Sequence, residues 1–184
     1  MTATTLRRVG RHADWVQCAA SAYDPFVDLA GRDGVSASWH PDGPDSPCGL
    51  TSFDDLHISL ARGMDTAQLK CTLTHELVHL ERGPLARRPD PLDQAAEERV
   101  VEILTAQRLV CPWDRELLWA HAAEQVAPAL GVDTAVLLAY DYWRESVTRD
   151  EAIATWKASC TYPRWPVPWM RVVGGRRSRM VVLP

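Results

Sequence analysis

The residues best suited to chemistry are His75, Glu76 and His79, in the run His75-Glu76-Leu77-Val78-His79. On an α-helix, two histidines four residues apart lie about 40° apart around the axis, so both imidazoles can reach one metal ion from the same face. Glu76 then stands beside that ion, placed to take a proton from the attacking water rather than to ligate. The spacing therefore predicts a zinc hydrolase helix of the HExxH kind, with His75 and His79 as metal ligands and Glu76 as catalytic base. The plainer alternative is a pair of hydrogen-bonded histidines on an amphipathic helix.

The flanking residues supply the helix that this geometry needs. Leu69, Leu73, Leu77 and Leu80 form an apolar stripe at helical spacing. Asp65 or Thr66 with Gln68 reads as an N-terminal cap, and Gly83-Pro84 ends the element. A zinc site also needs a third protein ligand, with a fourth position left open. Asp93 to Val110 reads as a second helix, rich in strong helix formers and closed by Pro112, and it carries Glu97, Glu98 and Glu102 near its start. Glu98 and Glu102 share a face at i, i+4, whereas Glu97 points about 100° away from Glu98 and reads as a solvated surface carboxylate. Spacing alone does not choose between Glu98 and Glu102.

Thr72-Leu73-Thr74-His75-Glu76-Leu77-Val78-His79, followed by Glu98-Arg99-Val100-Val101-Glu102 and Thr105-Ala106, resembles the ImmA/IrrE metallopeptidases of phages, mobile elements and stress-response systems. The resemblance implies that Glu98 is the third zinc ligand. Val101 takes a small or apolar position of the family pattern, and Glu102 stands where Asn or Asp is usual, which keeps it as the reserve ligand. It further implies an α+β fold: a mostly helical, zincin-like domain with a small β-sheet and a helical C-terminal part. The implied activity is cleavage of one protein partner, such as a separate helix-turn-helix repressor of a phage or mobile element. Residues 50 to 145 carry the likeness, and the two zinc helices are its specific part.

Around this core, Val35–His40 and Leu56–Leu60 read as short strands separated by turn chemistry from Pro41 to Pro47. The first thirty residues read as helical, with Trp15, Cys18, Ala19, Ala22, Tyr23 and Phe26 near one face and interruptions at Pro25 and Gly31. Helices are also expected from Pro112 or Trp113 to about Gln125 and from Asp133 to Val147. Residues 1–150 are thus expected to form one domain, with the metal-site core at about 50–112 and a helical extension at 113–150. Residues 151–184 form a Pro/Trp-rich tail in which Gly174-Gly175 could turn a basic hairpin. An oxyanion donor is expected from His40, His57, His121, Tyr140 or Tyr142, with His57 first because its strand directly precedes the metal helix.

Composition narrows the function classes. With 184 residues and 46% hydrophobic content the chain can bury one sizeable core, and a net charge of -4 gives no drive toward nucleic acid or an anionic membrane. No apolar run reaches membrane-spanning length, Met1 to Arg11 lacks a signal-peptide core, and five cysteines without a CxxC suit reduced thiols, so a cytoplasmic setting is expected. Cys71, one turn before His75, reads as a small buried thiol. Two rival classes remain: a module that sequesters a repressor without cutting it, and a nucleic-acid binder using Arg171, Arg176, Arg177 and Arg179 with Trp165 and Trp169. Intact Glu76 argues against the first and the acidic remainder of the chain against the second.

Overall fold

The computed structural model describes residues 23–41, 46–85 and 90–159. These form an α+β unit in the order α1 (Pro25–Ala30), β1 (Ser36–His40), β2 (Gly49–Ser52), β3 (His57–Ala61), α2 (Thr66–Arg82), α3 (Pro91–Leu109), α4 (Pro112–Leu117), α5 (Ala123–Leu130), α6 (Thr134–Arg144) and α7 (Arg149–Ser159). The expected helix before residue 23 and the basic hairpin with its arginines and tryptophans lie outside the described residues.

Helix α2 is the centre of the fold, and its ends follow from local chemistry. The Asp65 side chain accepts the Gln68 N–H at 2.8 Å and the Gln68 side chain accepts the Asp65 N–H at 3.1 Å, a reciprocal capping box. Gly83 stops the helix at φ 84°, a conformation that favours glycine, and Pro84 follows. One face of α2 sets Leu73, Leu77 and Leu80 against Val35, Ala37, Ile58 and Leu60 of the sheet and the segment leading into it, with Leu69 packed at the margin. The opposite side places Cys71 in a second core with Ala106 and Leu109 of α3, Val126 of α5, and Leu137 and Tyr140 of α6. Sandwiched in this way, α2 can leave only a narrow stripe open, and the histidines lie on it.

The three-stranded sheet has the order β1-β3-β2. β1 runs parallel to β3, pairing Trp39 with Leu60, whereas β2 runs antiparallel to β3, pairing Thr51 with Ile58. β2 was not expected from the sequence. It is short, sits at an edge and is the strand nearest the histidine stripe, since Gly49 and Thr51 both meet Glu76.

Two expected boundaries need correction. The helix expected from Pro112 to about Gln125 is broken: α4 ends at Leu117, and Gln125 belongs to α5. Tertiary contacts override propensity there, because Arg115 donates to the Leu118 carbonyl at 3.0 Å and grips Asp141 of α6 through Nε at 2.8 Å and Nη2 at 2.6 Å. The boundary expected at residue 150 falls inside α7, which is capped by Thr148 and Glu151. That helix buries Ala152 and Trp156, the latter edge-on to Trp113 of α4 at 5.5 Å. The helical extension therefore reaches at least Ser159.

A buried charge network ties α2 to both neighbours. Arg32, which follows α1, chelates Asp28 through Nε and Nη2, each at 2.7 Å, and reaches Glu81 of α2. Arg108 of α3 meets Glu81 from the other side, and the Tyr23 hydroxyl donates to Asp28 at 2.7 Å. Burial alone would raise the Glu81 pKa, but hydrogen bonds and charge from Arg108 and Arg32 outweigh it and hold the carboxyl below its ordinary value. A depressed carboxylate contributes stability above its unfolded pKa of about 4.3 and loses it as pH falls through the lower folded value. Glu81→Ala would leave the buried Arg32 and the half-buried Arg108 each with one anionic partner fewer. We expect it to cost roughly 3–5 kcal/mol, lowering the melting temperature by roughly 6–20 °C, measured by thermal unfolding at neutral pH.

Candidate metal centre

His75 and His79 face the same way from α2, with their Nε2 atoms 3.0 Å apart. Glu98 of α3 spans them, one carboxylate oxygen 3.3 Å from His75 Nε2 and the other 3.4 Å from His79 Nε2. Among the described residues these three side chains form a group that could hold a metal ion, all donor atoms lying within 4.8 Å of one another. Their separations test the fit. Donors about 2.0–2.2 Å from a tetrahedral ion stand about 3.4 Å from each other, close to the spacing seen here.

The charge states suit the same role. Burial lowers the His75 pKa and the neighbouring His79 lowers it further, against an upward pull from Glu98. A neutral imidazole with a lone pair toward the centre is the form that ligates. Two imidazole nitrogens and one carboxylate oxygen make a mixed N/O donor set.

The register of α3 separates the three glutamates. Glu98 joins the histidines; Glu102, one turn on, lines the same cleft but is not part of the donor group. Glu97 turns away to pair with Arg82, its Oε2 2.7 Å from Arg82 Nη2. It stands outside the donor group, ion-paired rather than simply solvated as the sequence suggested. Cys71 is buried, its pKa pushed up to about 11 mainly by burial, and its sulfur accepts the Asp133 N–H at 3.3 Å. It behaves as a neutral packing thiol.

Glu76 sits beside the donors and is only 6% exposed. Burial raises its pKa, while a hydrogen bond from Thr51 and the charge of His79 oppose the rise. The Thr51 hydroxyl donates to Glu76 Oε2 at 2.7 Å. Gly49 packs directly on the same side chain, so closely that a Cβ there would stand 2.6 Å from Oε1. Neither residue was singled out from the sequence. The only signal available was a small-residue stretch after a Pro-rich turn, too short to read as a strand.

These groups floor a cleft of about 1010 Å³, with Gly49, Leu50 and Thr51 of β2 on one wall and Leu138, Ala139 and Tyr142 of α6 on the other. Of the residues considered as oxyanion donors, Tyr142 lines this cleft, 63% exposed. His57 does not line it, contrary to expectation. Its Nδ1 meets Ser36 Oγ at 2.7 Å and its Nε2 meets Ser38 Oγ at 2.8 Å, because Ser36 and Ser38 share one face of the strand paired with it. His40 is held by Ser59 and the Pro47 carbonyl, His121 is exposed away from the cleft, and Tyr140 is 1% exposed in the helical core.

Comparison of the chain with protein-family models, curated proteins and solved structures finds no match. Fold and site therefore define the protein by its own geometry: an α+β chain with a His75, His79 and Glu98 group that could hold a metal ion in an open cleft. Among the described residues no helix is long and apolar enough to cross a membrane.

Proposed function

We propose that the chain is a zinc-dependent peptidase of the ImmA/IrrE type, with a zincin-like domain that cuts a specific protein partner, a helix-turn-helix repressor of a phage or mobile element. The observation that carries the proposal is the division of roles around one point. His75, His79 and Glu98 converge as donors, while the neighbouring carboxylate, Glu76, is held by Thr51. A binding module has no need of a buried general base.

His75, His79 and Glu98 would hold the zinc. When bound, zinc polarises the scissile carbonyl and makes water a stronger acid. The protein's own residues do the rest. Glu76, buried and raised in pKa, takes the proton of the attacking water and returns it to the departing amine. β2 is an edge strand of the sheet and lines the cleft, so its backbone can pair with an extended segment of the substrate. Leu50, Leu138 and Tyr142, all exposed on the cleft walls, offer apolar contact to side chains flanking the scissile bond. Tyr142 is the candidate donor to the oxyanion. Thiols at Cys48 and Cys71, neither of them in a disulfide, accord with a reducing, cytoplasmic setting.

Co-expression with a helix-turn-helix repressor and its reporter tests the proposal. The expected result is a discrete repressor fragment that disappears when zinc is chelated, together with derepression. Derepression without any fragment would replace the peptidase with a sequestering module.

A further inference from the structure

The Thr51–Glu76 contact carries a consequence that rests on the peptidase reading above. Glu76 lies on the same helix as two of the three donors, and carboxylates are themselves good zinc ligands at about 2.0–2.2 Å. A base in that place must be kept from swinging onto the metal, and a glutamate side chain has three rotatable bonds with which to do so.

We infer that β2 is a clamp on the general base, with Thr51 as its positioning residue and Gly49 as the surface against which Glu76 is pressed. Thr51 Oγ1 donates to Glu76 Oε2 at 2.7 Å, and the same oxygen stands only 3.3 Å from the Glu76 backbone carbonyl, so its single proton goes to the carboxylate from a position close against the residue's backbone. Oε1 rests on Gly49, where a Cβ would lie 2.6 Å from Oε1, 2.8 Å from Glu76 Cγ and 2.7 Å from Thr72 Cγ2. Ordinary Cβ atoms do not approach that closely, so the glycine is required by close approach. One carboxylate oxygen is thereby committed to Thr51, and the other stays available for the proton. The strand that would pair with substrate is also the strand that fixes the base, which ties the two to one rigid element.

Thr51→Val removes the hydroxyl at nearly constant volume. On a fluorogenic peptide library we expect kcat to fall by on the order of 10- to 100-fold, with KM and zinc stoichiometry unchanged and Thr51→Ser restoring most of the rate. Gly49→Ala should reach the same end by displacing Glu76 from the other side. A second readout needs no turnover: Co2+-substituted Thr51→Val should absorb more weakly in the visible as Glu76 adds to the coordination sphere, and the Thr51→Val, Glu76→Gln double variant should not. A wild-type protein that cleaves neither the library nor a co-expressed repressor removes the peptidase reading and this inference with it. Wild-type turnover alongside an unchanged kcat and Co2+ spectrum in Thr51→Val overturns the clamp alone and leaves Thr51 as a structural partner of a buried carboxylate.

Discussion

Glu76→Gln is expected to retain its metal and its fold and to lose turnover by on the order of 10²- to 10⁴-fold, the range typical of a general base. The argument begins with what the substitution leaves alone. Gln is isosteric, its amide oxygen can still accept from the Thr51 hydroxyl, and none of His75, His79 or Glu98 is touched. What is removed is the carboxylate's ionisation, and with it the capacity to take a proton. Because burial disfavours the ionised Glu76 carboxylate, a neutral replacement should not lower the melting temperature and can raise it. Turnover, metal stoichiometry and thermal unfolding on one preparation decide the matter. Turnover within a few-fold of wild type would deny Glu76 its role, and loss of metal would mean that it ligates.

The candidate site was readable from the sequence wherever helical periodicity dictates geometry. His75 and His79 sit one turn apart on a helix whose cap, stripe and stop are all encoded locally by Asp65, Gln68, the leucines and Gly83. Periodicity could also reduce α3 to Glu98 or Glu102, but choosing between them needs the crossing of two helices, a tertiary quantity. The α+β class and two of the three strands were legible for the same local reasons. What escaped depends on contacts distant in sequence. β2 is a four-residue edge strand whose pattern carries almost no alternation, so Gly49 and Thr51 acquire meaning only when the strand is laid against Glu76. His57 looked suitable as a lone histidine near the metal helix, yet the parallel pairing of β1 with β3 supplies it with two serine partners. Helix α7 is a different case. Its capping box, Thr148-Arg-Asp-Glu151, is a local signal, but the Pro-rich composition a dozen residues later drew the domain boundary too early.

Glu98→Ala is expected to abolish stable zinc binding, with Glu102→Ala close to wild type. Glu98 supplies one oxygen toward each histidine, so its loss opens a second coordination position and removes the one carboxylate donor of the group among the described residues. Outer-sphere substitutions at zinc sites already cost roughly 10–100-fold in affinity, and loss of a direct ligand should exceed that. The side chain is 54% exposed, so truncation should leave the metal-free fold intact. Thermal unfolding separates binding from folding. Zinc at about 100 times its dissociation constant adds about 2.7 kcal/mol to the wild type, a rise of roughly 5–11 °C for a chain of this size. The Glu98→Ala protein should start from a similar metal-free melting temperature and gain almost nothing from zinc. If Glu102→Ala loses the zinc response while Glu98→Ala keeps it, the ligand lies one turn further along α3. If both keep it, the metal is not held by α3, and the convergence of the three side chains has another cause.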